Sequence, residues 1–116
     1  MSDFLELQTV LHEAGRKRSE KIAVFAFLAL GLIESIAKGV LSIEDAVQVF
    51  FNADNSLFVR KNLREKTIDE IMGRGAQLPD LFESLPHQKA QQEFERELTT
   101  MRSLCLEILK RRKSVA

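Results

Sequence analysis

The chain has 116 residues, 45% hydrophobic and 29% charged, with only 2 Pro and 5 Gly, which fits one globular domain spanning 1–116 and excludes a disordered or collagen-like chain. Its 17 basic and 17 acidic residues cancel, whereas a dedicated nucleic-acid binder usually carries a basic excess, because its affinity comes largely from neutralising phosphates. Cys105 is the single cysteine, so no intrachain disulfide can form, and the first residues, Met1-Ser2-Asp3-Phe4-Leu5-Glu6, lack the basic and apolar blocks of a secretion signal; a cytoplasmic location is expected.

Ser2 and Asp3 can cap a first helix carrying Phe4, Leu7, Leu11 and Ala14, whose spacing of three, four and three defines one helical face. Gly15 and the cluster Arg16-Lys17-Arg18 are expected to end it. Ser19-Glu20 opens a second helix, about 20–38, stopped by Gly39 at the C′ position. Its run Ile22–Ile33 is apolar on every side. Twelve residues fall short of the ~20 needed to cross a bilayer, so a buried core helix is expected.

Ser42 begins a third helix, with Glu44 and Asp45 in its positive first turn. Asn52-Ala53-Asp54-Asn55 is a turn signal, and Ser56 is expected to cap a short segment from Leu57 to about Leu63. Thr67-Ile68-Asp69-Glu70 matches a capping box and opens a short helix ending at Gly73 or Gly75. Ala76–Pro79 reads as a loop, and Asp80–Leu85 as one or two helical turns stopped by Pro86. From about His87 to Arg112 there is no Gly or Pro, and Phe94, Leu98, Met101, Cys105 and Ile108 repeat every three or four residues. Lys110-Arg111-Arg112-Lys113 sits where cations suit a helix end. No run alternates as a strand would. The fold class is therefore all-α: a single-domain bundle of five or six helices framed by the two long ones, about 20–38 and 87–112.

Chemistry is sparse. Two His and one Cys are too few for a zinc site without converging carboxylates, so no metal and no cofactor is expected. His12-Glu13 lacks the second His of a zinc-protease helix, and Glu83 and His87 stand four apart rather than the three of a di-iron motif. Cys105 lies on an apolar stripe, where it acts as a small hydrophobe. Gly73-Arg74-Gly75 lacks the third Gly and the preceding strand of a dinucleotide loop. Glu34, one turn ahead of Lys38, reads as a surface ion pair, or as a buried acid with a raised pKa if it faces the core. An enzyme built on Glu34 with His12 or His87 lacks an assembled constellation, so no catalytic residue is assigned.

Two segments could form contacts. Leu78, Leu81, Phe82 and Leu85 crowd into ten residues with both prolines, and either lid the core or face outward as a protein-interaction surface. Arg60, Lys61, Arg64 and Lys66 follow Phe58, and Arg74 stands between two glycines; together they are a candidate anion or nucleic-acid contact. The expected function is that of a small soluble protein of bacterial type without catalysis. It would be a protein-interaction module that pairs with itself as a homodimer, or with another protein as an adaptor or toxin-neutralising partner would. It has no membrane role. The alternative is a small nucleic-acid binder using the basic segment 58–74, possible only through local charge because none is in excess globally.

Overall fold

The computed structural model describes residues 6–115, with side chains through Arg111. The expected Ser2-Asp3 cap and Phe4 lie outside the described residues, as do the side chains of Arg112 and Lys113. The order is α1 (Leu7–Glu13), α2 (Arg18–Ala37), α3 (Ile43–Val49), α4 (Ala53–Asn62), α5 (Lys66–Ala76), α6 (Leu78–Ser84) and α7 (His87–Val115). Every regular element among the described residues is helical. Gln77 ends α5 and begins α6, so counting that bent pair as one rod gives the six expected. The two long helices are α2 and α7.

Those two helices share the largest interface of the bundle. Phe25, Ala26, Ala29, Ile33 and Ile36 of α2 and Leu98, Met101, Cys105 and Ile108 of α7 belong to one continuous core. Alanines at 26 and 29 let a neighbouring helix approach closely, while Phe25 supplies bulk and stacks on Phe50 at 5.5 Å. Phe50 in turn meets Phe51 edge-on at 4.9 Å. All three rings are fully buried, so the α3–α4 corner is anchored by aromatic packing.

Several helix ends follow the chain's local chemistry. Ser42 Oγ accepts from the Asp45 amide at 3.0 Å. Gly39 takes φ +75°, and the amides of Gly39 and Val40 donate back to Ile36 and Ser35, closing α2 with a Schellman motif that needs a left-handed residue. Other ends differ from expectation. Asn52, not Ser56, caps α4, its side chain accepting from the Asn55 amide at 2.9 Å. The helix α2 starts at Arg18 because Glu20 accepts from the Lys17 amide at 3.1 Å; Lys17 has no acceptor to return the bond. The helix α5 starts at Lys66, ahead of the expected Thr67 cap, and the Thr67 hydroxyl instead accepts from Arg111 at 3.1 Å.

The first turn of α2 also secures two other helices. The Arg18 guanidinium donates to the carbonyls of Leu63 and Arg64 at the end of α4. Lys21 Nζ donates to Leu11 O at 2.6 Å and His12 O at 3.1 Å at the end of α1. Cations thus cap carbonyls at two helix ends, where Leu11 O also accepts from the Ala14 amide at 3.3 Å.

The helix α5 runs through Gly73 and Gly75 rather than stopping there. The bareness of Gly75 serves packing. A Cβ on Gly75 would lie 2.3 Å from the Phe51 ring, so this position must be bare for Phe51 to seat. Open space surrounds Gly73.

Candidate interaction surface

The groups singled out for chemistry are mostly engaged by neighbours. Glu34 reaches across to α7, where Arg102 Nε lies 2.5 Å from its Oε2. This cross-helix partner replaces the Lys38 pairing expected from spacing, and both side chains remain partly exposed. Arg74 is not free for an anion. Its Nε meets Glu70 at 2.9 Å, and its Nη1 meets both carboxylate oxygens of Glu97 at 2.9 and 3.0 Å. Donation to Glu97, and then to Glu70, raises the guanidinium pKa further. Its flanking glycines lie in the last turn of α5, whose end at Ala76 falls one residue past the later of the two expected stops.

Cys105 is fully buried, and desolvation pushes its thiol from an ordinary value of 9.0 up to about 12. The thiol stays protonated at neutral pH and lacks the thiolate character a nucleophile requires. Among the described residues, no three His, Cys, Asp or Glu side chains gather as a metal site would require. No helix among them is long and apolar enough to cross a membrane.

Arg60 and Lys61 are exposed in the last turn of α4, as are Arg64 beyond it and Lys66 at the start of α5. Arg64 follows the C-cap in a left-handed conformation, φ +52°, and its carbonyl accepts from Arg18. Glu65 lies between Arg64 and Lys66, and Arg111 Nη2 approaches its carboxylate at 3.9 Å. The cluster is thus interleaved with acid, and Arg74 is bound apart from it.

The segment 78–85 divides between the two roles open to it. Leu78 is fully buried, and Leu81 packs on the core. Phe82 is 37% exposed and rests edge-on against Phe94 at 5.5 Å, and Leu85 is half-buried. Two of the four leucine and phenylalanine side chains therefore close the core. The segment folds as the helix α6, which turns Leu78 and Leu81 to the core and leaves Phe82 at the surface.

The most exposed large apolar side chains lie elsewhere: Leu57 on α4 is 61% exposed, and two more lie on or just past α2, which was expected to be surrounded. Phe27 is 64% exposed and Val40, just past the helix, is 80% exposed. Between them runs a shallow groove of about 480 Å³ lined by Phe27, Leu28, Gly31, Leu32, Ser35, Val40 and Leu41. A side chain added at Gly31 would meet nothing within 4 Å. The signal for this face was present in the sequence. Glu20, Val24, Phe27, Gly31, Glu34 and Lys38 are spaced four, three, four, three and four. A stripe containing three charges and a glycine is a poor core face, so it marks the outer side of an otherwise apolar helix.

The fold and this surface define a class: a small all-helical bundle with an apolar face on one of its two framing helices. The chain belongs to the DUF3969 family, described as proteins of unknown function, whose pattern it matches over residues 15–116. The match takes in α2 through α7 and begins after α1. Neither a curated protein nor a solved structure was found to match the chain.

Proposed function

We propose that the protein is a non-catalytic interaction module whose binding face is the outer stripe of α2 and the groove beside it. The observation that carries this reading is the exposure of Phe27 next to the open space over Gly31. A phenylalanine placed largely in water, one turn from an unfilled recess, gains nothing for the isolated fold. Covering it returns about 1.5–3 kcal/mol per ring. Rimmed apolar surface of this kind is characteristic of protein contacts. Arg74 is held by Glu70 and Glu97 and the Cys105 thiol is protonated, so neither of these two groups supports a catalytic reading.

Two measurements test this together. Light scattering after size exclusion, over a tenfold concentration range, reads self-association. Affinity capture from native lysate reads other partners. The wild-type chain is expected to associate in at least one of them, and Phe27→Asp to lose that association while matching the wild-type melting temperature at concentrations too dilute for association, because in the isolated chain the substituted side chain is already in water. A wild-type chain that is monomeric and retains nothing beyond what Phe27→Asp retains overturns the proposal.

A further inference from the structure

Resting on that reading, we infer that the occupant of the α2 face is the same face of a second copy of this chain, with the two helices antiparallel about a two-fold axis near Ala29. The argument begins with register. The six outer residues Glu20, Val24, Phe27, Gly31, Glu34 and Lys38 fall at the alternating spacing of a coiled-coil seam. In an antiparallel pair centred near Ala29 they form three kinds of layer. Phe27 faces the partner's Gly31, Val24 faces the partner's Glu34, and Glu20 faces the partner's Lys38.

The Phe27–Gly31 and Glu20–Lys38 layers are complementary, and Val24, partly packed against its own core, meets Glu34 in the third. The Phe27 ring protrudes, and the space over Gly31 is empty, bordered by the groove residues Leu28, Ser35 and Val40. Glu34 enters its layer already paired with Arg102 at 2.5 Å, so the carboxylate opposite Val24 carries its own counter-charge. Glu20, whose Oε1 also accepts from the Lys17 amide, and Lys38 are both exposed, and they meet as opposite charges at each end. A parallel pairing fails on the same residues. It sets Phe27 against Phe27, leaves Gly31 facing Gly31 across a void, and opposes Glu20 with Glu20 and Lys38 with Lys38.

Length and charge agree. The seam from Glu20 to Lys38 runs about 27 Å along the helix axis, and half-buried Ala23 and Leu30 flank it with further apolar surface. A chain with no net charge has no long-range repulsion to oppose its own copy. A two-fold contact is the simplest closed assembly, because one patch serves both partners.

The test uses disulfide trapping in the full-length chain. Glu20→Cys and Lys38→Cys variants are oxidised with glutathione separately and as an equal mixture. Cys105 stays in place, since it is fully buried. The mixture should yield a cross-linked heterodimer, and neither variant alone should yield a homodimer. A second variant, Gly31→Leu, fills the seat of the partner's Phe27. It should raise the dimer Kd at least about tenfold without lowering the melting temperature of the dilute monomer, because nothing in the isolated chain lies near the added side chain. Cross-linking of Lys38→Cys alone means parallel pairing and overturns the inference. A wild-type dimer that traps no cross-link pairs through another surface, which also overturns it. A monomer that captures a different protein through Phe27 overturns the second copy as occupant while sustaining the interaction reading. A monomer that captures nothing overturns both.

Discussion

Two glycines two residues apart in α5 should respond oppositely to the same substitution. In a helix interior, Gly is less stable than Ala by about 0.5–1 kcal/mol. Gly73→Ala should collect that difference, because no atom lies within 4 Å of the new Cβ. Gly75→Ala gains the same backbone term and then meets the Phe51 ring at 2.3 Å. Phe51 is fully buried and held edge-on against Phe50 at 4.9 Å, so it has nowhere to retreat in a close-packed core. Overpacking of this kind costs about 1–3 kcal/mol. The Gly75 variant should therefore lose about 1–2 kcal/mol net, while the Gly73 variant gains up to about 1 kcal/mol. Both substitutions restrict the unfolded chain equally, so their difference isolates the packing term. Urea denaturation followed by circular dichroism measures both. Phe51→Leu in the Gly75→Ala background should recover part of the loss, giving a coupling of about 0.5 kcal/mol or more. If Gly75→Ala proves as stable as Gly73→Ala, the account of Phe51 seating against a bare backbone is wrong.

Three further outcomes are expected. Arg64→Gly should stabilise the chain by about 0.5–1 kcal/mol, since φ +52° strains a side chain but suits glycine; a loss in thermal denaturation would refute the strain. Arg18→Met should lower stability by about 1 kcal/mol by uncapping the carbonyls of Leu63 and Arg64, and hydrogen exchange should quicken first in the last turn of α4. Stability should also fall with rising pH between about 9 and 12 because the folded state keeps the Cys105 proton that the unfolded chain releases. The slope from this group is at most about 1.4 kcal/mol per pH unit. Cys105→Ala should flatten that alkaline limb relative to wild type even though it leaves a small cavity, and equal slopes would contradict the buried thiol.

Residues near in sequence made much of the fold legible. The Ser42 cap and the Gly39 stop depend on atoms a few positions away, and the stripe Leu98-Met101-Cys105-Ile108 depends on one helix alone. The elements that differed were decided by distant residues. Phe51 requires the bare backbone of Gly75. Arg111 takes the Thr67 hydroxyl that local pattern assigned to a cap. Arg102 takes the Glu34 carboxylate that spacing gave to Lys38. The same holds for the surface. Attention went to Leu78, Leu81, Phe82 and Leu85 because leucines beside prolines look unplaced, yet Leu78 and Leu81 have the core to fill. Phe27 was hidden by its setting in an apolar run, although its stripe of Glu20, Gly31, Glu34 and Lys38 already separated an outer side from an inner one.

The pairing of α2 with α7 has a consequence for synthesis. During translation α2 emerges well before the residues that cover its inner face, which begin near Leu98. At ordinary elongation rates the interval is on the order of ten seconds. Throughout it, Phe25, Ile33 and Ile36 have only the short helices α1 and α3–α6 for shelter. Completion of the fold therefore waits on the most distant contact in the chain, and the nascent protein passes through a stage with both sides of one apolar helix uncovered, when ribosome-associated chaperones would meet it.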